Sequence, residues 1–95
     1  MNQDGLDIRH EPETSRFIAI VEGLACHADY RLDGGVMTVF HTEVPRVLEG
    51  RGIAGRLVDA LFAHARTRGL RVRPTCSYVR AWARRHPEVG SLLTD

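Results

Sequence analysis

Nine consecutive residues, Glu49-Gly50-Arg51-Gly52-Ile53-Ala54-Gly55-Arg56-Leu57, set three glycines and two arginines at the point where a helical pattern begins. Glycine tolerates positive φ and lets a ligand come close to the main chain. The first amides of a helix have no partner within it, and the helix dipole places partial positive charge there. Arg51 and Arg56 add full charges. The chemistry of such a turn is that of holding a diphosphate; the plainer reading is a turn that merely starts a helix, and the local pattern does not separate the two. Elsewhere, the thiol of Cys76 at a helix start has the chemistry of a nucleophile or proton donor, or of a small packing residue. His41 and Glu43, two apart on a strand, share a face and form a candidate proton-transfer pair, with Thr42 on the other face.

Positioning these groups requires a sheet and two helices. Asp7 to His10 reads as a short first strand and Arg16 to Val21 as a second. Glu22-Gly23 turns the chain into Leu24 to Leu32, where Leu24, Cys26, Ala28, Tyr30 and Leu32 fall on one face. Asp33-Gly34-Gly35 is a hairpin signal leading into Val36 to Thr42. Ile53, Leu57, Ala60, Leu61 and His64 recur at helical spacing from Gly52 to about Arg68, and Gly69 terminates the helix. Leu70 to Val72 is then a strand parallel to the one before the turn, because strand, helix and strand make a crossover. A last helix runs from Thr75 or Cys76 to about Arg85, followed by an apolar tail of Val89, Leu92 and Leu93. The expected class is α+β: a mixed, mostly antiparallel sheet with a crossover helix and a C-terminal helix.

Ninety-five residues allow a single domain, 1–95, with a modest core and little room for a separate acceptor-binding module. The absence of a long apolar run or a basic-then-apolar leader fits a soluble cytoplasmic protein, not a membrane one. Cys26 and Cys76 are too few for a disulfide framework, which fits a reducing compartment, though one bridge between them is compatible with the sequence. Net charge is +1, yet residues 1–45 carry eight acids and three arginines while residues 46–86 carry ten arginines and two acids. The basic half begins with the glycine turn and would steer a polyanionic cofactor there. Most of its arginines, from Arg66 to Arg85, read as a solvated face. Five histidines and two cysteines show no metal-ligand spacing, so no metal is expected. His86 reads as a helix cap, and Trp82 as core or the wall of a slot.

The order of these parts resembles the acyl-CoA-binding half of the GNAT superfamily of N-acyltransferases. The stretches His41-Thr42-Glu43-Val44-Pro45, Pro74-Thr75-Cys76-Ser77-Tyr78-Val79 and Arg85-His86-Pro87-Glu88 resemble a minimal single-domain branch of it. The family's phosphate-loop pattern, Gln/Arg-x-x-Gly-x-Gly/Ala, is met at Gly52 and Ala54, while Glu49 stands in the Gln/Arg position. The resemblance implies acetyl-CoA as co-substrate, its diphosphate held at Gly50, Arg51, Gly52, Ile53, Ala54, Gly55 and Arg56. Its pantetheine arm would lie along His41, Thr42, Glu43 and Val44 in a slot opened by the splaying of the next strand. It also implies an acidic tyrosine at the end of a helix pattern Asn-x-x-Ala-x-x-Phe-Tyr. Here Cys76, Val79, Trp82 and Ala83 occupy those places, so the usual acid is missing, and Tyr78 points to a different side.

The resulting expectation is an N-acetyltransferase acting on a small-molecule or peptide amine, by direct attack or with help from Cys76. His41 or Glu43 would take the amine proton. A CoA-binding or partner-binding module without transfer is the second reading. Nucleic-acid binding through the arginine-rich half ranks last, because interleaved aromatics and known motifs are absent. The acceptor and the oligomeric state are not legible in the sequence.

Overall fold

Hairpin turns and one crossover fix the architecture. In the computed structural model, which describes residues 6–95, β1 (Arg9–Glu11), β2 (Arg16–Val21), β3 (Leu24–Asp33) and β4 (Val36–Glu43) form an antiparallel meander, and β5 (Arg71–Pro74) joins β4 in parallel. The sheet order is β1-β2-β3-β4-β5. Helix α1 (Ile53–Arg68) makes the crossover from β4 to β5, and α2 (Ser77–Arg84) follows β5. Gly34 and Gly35, at φ 57° and 84°, make the β3–β4 turn with both central residues left-handed, which matches the twist of the strands it joins. Gly69 ends α1 in the left-handed conformation at φ 69°. Short 3-10 turns span Arg46–Leu48 and Pro87–Leu92, and the tail beyond the second bridges to β5 through Val72 and Leu93.

One face of the sheet packs on the helices. Phe17, Ala19, Cys26, Ala28, Tyr30, Met37 and Val39 are buried against Leu57, Val58, Leu61, Phe62 and Ala65 of α1. Helix α2 lies beside α1, joined by stacked Phe62 and Trp82 rings with centroids 5.3 Å apart. Of the five residues that share one face of β3, only Cys26, Ala28 and Tyr30 are buried. Leu24 and Leu32 are exposed, because β3 outruns the helices at both ends. The helical stripe is shifted likewise: Val58, Phe62 and Ala65 are buried, while Ala60 and His64 sit at its rim. Cys26 and Cys76 are both free thiols.

A single extra residue decides which side chains reach which face of β4. Asp29 pairs with His41 but Tyr30 pairs with Val39, so Phe40 is the inserted residue of a β-bulge. A one-residue shift moves every later side chain to the opposite face. Met37 and Val39 point to the helices; beyond the bulge it is Thr42, paired with buried Ala28, that does so, and His41 and Glu43 emerge on the solvent side. Among the described residues no helix is long and apolar enough to cross a membrane.

Candidate functional site

The strand β4 continues past its parallel partner. Pairing with β5 ends at Val39 and Pro74, where the Val39 carbonyl accepts hydrogen bonds from the amides of both Thr75 (3.1 Å) and Cys76 (3.0 Å). From there β5 gives way to α2, while β4 runs on to Glu43 with no partner on that side. Pro45 then opens the 3-10 turn Arg46–Leu48, anchored by the fully buried Leu48. The chain enters α1 through Gly52, whose φ of 77° is left-handed. A Cβ added at Gly52 would meet nothing within 4 Å, so the need for glycine is conformational and not one of space. Among the described residues no side chain caps the helix at Gly52, and its first-turn amides face the space in front of it.

These pieces enclose a cavity of about 440 Å³. Thr42, Glu43 and Val44 form one wall, Gly50, Gly52, Ile53, Ala54 and Gly55 another, and Tyr78 of α2 closes it, with Leu48 and Glu49 completing the lining. The unpaired strand edge and the glycine turn therefore open into one continuous space. Arg51 and Arg56 lie outside its wall. The Arg51 guanidinium is turned to Glu22 in the β2–β3 turn, 2.6 Å away, at a site about half exposed on both sides. Such an exposed pair contributes little to stability. Glu49, in the lining, stands where the phosphate-loop pattern has Gln or Arg.

Cys76 and Tyr78 occupy different ends of this arrangement. Cys76 is the residue before α2 and stands where β4 and β5 part; its Sγ is 3.8 Å from Thr42 Oγ1, just behind the cavity wall. Tyr78, in the first turn of α2, reaches α1 instead: its hydroxyl would lie 3.5 Å from a Cβ placed on Gly55. Tyr78 does point away from the side that carries Ala83, as its spacing implies, and that other side is the cavity. The signal that would have found it is Gly55, whose missing side chain gives α2 its close approach to α1. Val79, Trp82 and Ala83 are buried in the core.

The solvent side of β4 carries a row of hydrogen-bonded side chains. His41 Nε2 and Glu43 Oε1 are 2.9 Å apart, both about half exposed. Beside them on β3, His27 Nδ1 and Asp29 Oδ1 are 2.8 Å apart and mostly shielded. The two imidazole centroids are 6.1 Å apart. Arg16 Nε comes within 3.2 Å of the same Asp29 oxygen, but not in hydrogen-bonding geometry. Two histidine–carboxylate pairs thus lie side by side on the face away from the helices, at the height of the strand divergence.

The remaining histidines have structural surroundings. His86 Nδ1 donates to the Trp82 carbonyl at 2.8 Å and stacks on its ring, capping the end of α2. His10 stacks on Phe17, hydrogen-bonds the Tyr30 hydroxyl at 2.6 Å and meets His64, with ring centroids 4.3 Å apart. Burial, aided by the neighbouring His64 and Arg68 charges, holds His10 below the ordinary histidine value, against a smaller opposite effect of Glu13. Burial and Arg68 lower His64 in the same way. Burial raises Cys26 and Tyr30. Among the described residues no three His, Cys, Asp or Glu side chains are placed to hold a metal ion.

Comparison with known proteins matches residues 16–92 to the family described as GCN5-related N-acetyl-transferase. Among solved structures, the chain is similar to the solution structure of a GCN5-like protein from Staphylococcus aureus, with a TM-score of 0.76 and 23% sequence identity, covering 97% of this chain and 91% of that one. At this identity the likeness establishes the shared fold.

Proposed function

This chain belongs to the GCN5-related N-acetyltransferase family, and we propose that it transfers an acetyl group from acetyl-CoA to an amine. The observation that carries the proposal is the continuity of the cavity: one space joins the uncapped amides of α1 to the unpaired edge of β4. A diphosphate fits the first part and an extended pantetheine arm the second. Gly50, Gly52, Ile53, Ala54 and Gly55 would hold the diphosphate by main-chain amides. Thr42, Glu43 and Val44 would guide the arm, and the Tyr78 hydroxyl, near Gly55, would donate to the cofactor. Arg51 and Arg56, outside the wall, would contribute through their field. Acetyl-CoA, when bound, supplies an activated thioester carbonyl.

The chain's own residues divide the remaining work by position. The open sheet face gives an acceptor amine access to the strand divergence, and His41, hydrogen-bonded to Glu43, is the group there suited to receive its proton. Cys76, behind Thr42 on the opposite side of the divergence, would return a proton to the departing sulfur or carry the acyl group itself. A buried alanine, Ala83, at the place of the family's acidic tyrosine favours the second reading, binding without transfer.

Isothermal titration with acetyl-CoA, followed by release of free thiol over a panel of amines, separates the two. Binding with thiol release supports transfer, and binding without release for any amine supports the module. Cys76→Ala is expected to lower kcat by about tenfold to a hundredfold with acetyl-CoA affinity within about twofold. Equal turnover would return Cys76 to packing.

A further inference from the structure

A second concavity, of about 740 Å³, lies along β5 and α2. At about 100° per residue, Arg80 and Arg84 project from the side of α2 roughly opposite Tyr78, so the helix separates this groove from the diphosphate cavity. Arg71 and Arg73 of β5 line it with them. Among the described residues none of these four guanidiniums ion-pairs with a carboxylate. The bonds that orient two of them go to neutral oxygens: Arg71 Nη2 to the Leu93 carbonyl at 2.7 Å, and Arg73 Nη1 to Thr38 Oγ1 at 3.2 Å. Among the described residues, Asp95 alone adds a negative side chain to the lining. Four like charges along one groove, against a single described carboxylate, gain from a polyanion.

The chemistry of the walls selects among polyanions. Among the described residues no glycine or aromatic lines the groove, so it offers neither the backbone cradle proposed for the other cavity nor a platform for stacking bases. Its positive charges instead stand in two short rows. Arg71 and Arg73 are alternate residues of a strand, about 6.6 Å apart along it, and Arg80 and Arg84 are one helical turn apart, about 6 Å. Alternate side chains of an extended peptide repeat at the same spacing. Pro74, Ala83 and Leu93 supply apolar contact between the rows. The β5 edge is already engaged where the Thr94 amide donates to the Val72 carbonyl at 2.9 Å, and Pro74 has no N–H to offer, so a ligand would be read through side chains and not by strand addition.

We propose that this groove binds an acidic peptide segment in extended conformation, with carboxylates at alternate positions meeting the four guanidiniums. The proposal is independent of acetyl transfer. It is tested with the full chain by fluorescence anisotropy of a labelled peptide of alternating Glu and Ala. Binding is expected at low salt, weakening as ionic strength rises. The double variant Arg80→Glu/Arg84→Glu should lose affinity by about tenfold or more, and the milder Arg84→Gln should lose part of it should the double variant melt early. The thermal shift induced by acetyl-CoA should be the same in the variants, because the glycine cavity lies across the helix. The proposal is overturned by a wild-type chain that does not bind the peptide, by variants that bind it equally, or by tripolyphosphate or a single-stranded oligonucleotide displacing it more effectively than unlabelled peptide.

Discussion

The two concavities flanking α2 are built from opposite materials. On one side the protein offers main chain: left-handed glycines, the amides of a helix start and the unpaired edge of β4. On the other it offers guanidiniums on flexible stems. Amide dipoles act at short range and only in the right geometry, so the first site depends on backbone conformation and little on side-chain charge. Arginine charges act over a Debye length, so the second depends on charge count and ionic strength. What the sites share is the helix between them and the ring that seats it, Trp82.

Trp82 is therefore where the comparison is most easily broken. It is buried, stacks on Phe62 and on His86, and its Nε1 approaches the position of a Gly55 Cβ to 3.5 Å. Trp82→Ala removes the contact that seats α2 on α1 and is expected to cost about 3–5 kcal/mol in urea denaturation. Both acetyl-CoA and acidic-peptide binding should weaken in parallel. If only one falls, the sites do not share their support in the way the packing implies. Gly52→Val separates them. A β-branched residue cannot hold φ near 77° without strain, so acetyl-CoA affinity should drop by about a hundredfold or more in calorimetry. The far-ultraviolet dichroism and peptide binding should be retained. Undiminished acetyl-CoA affinity would remove the glycine cradle from the account.

Legibility in the sequence followed the same division between backbone and side chain. The hairpin at Gly34-Gly35, the stop at Gly69 and the turn into α1 at Gly52 were readable because glycine at those places answers a local conformational demand. The inward face of β3 was readable at Cys26, Ala28 and Tyr30 from alternation, but its length was not, because where a helix ends over a sheet is a tertiary matter. The bulge at Phe40 leaves no mark in composition, yet it places His41 and Glu43 on the open face in place of the helix-covered one. Helix spacing told that Tyr78 points away from the side of Ala83, but not what it meets there, because its neighbour, Gly55, lies on another element. The 3-10 turn at Arg46–Leu48 gave no signal beyond Pro45.

A smaller effect sharpens the contrast within the backbone site. Glu49 lines the cavity, and under the proposed function its carboxylate would oppose a bound diphosphate. Glu49→Gln keeps the shape and removes the repulsion, restoring the amide of the phosphate-loop pattern. Acetyl-CoA affinity should rise by about threefold to tenfold at low salt, and the gain should shrink as salt is added. Peptide binding across the helix should not respond beyond the small change in net charge. An unchanged or weaker acetyl-CoA affinity would mean that the Glu49 carboxylate turns away from the ligand.

Neither concavity houses the histidines whose protonation the fold resists, so acid should act on stability from a third place. His10 of β1 and His64 of α1 pack together beside the Phe17 and Tyr30 rings, near Arg68, with Glu13 a weaker, opposing influence on His10. Burial is the main cause of their lowered values, and the positive neighbours add to it. Because both groups are lowered in the folded state, the unfolded chain binds the extra protons. The stabilisation is fully present above the unfolded histidine value of about 6.5 and is lost as pH falls through the folded values. His64→Gln removes one group and the repulsion it exerts on His10, so the decline in melting temperature between about pH 7 and 5 should be shallower than in the wild type. A variant with the same slope as the wild type would move the acid sensitivity to other groups, with the exposed His41–Glu43 pair next to be replaced.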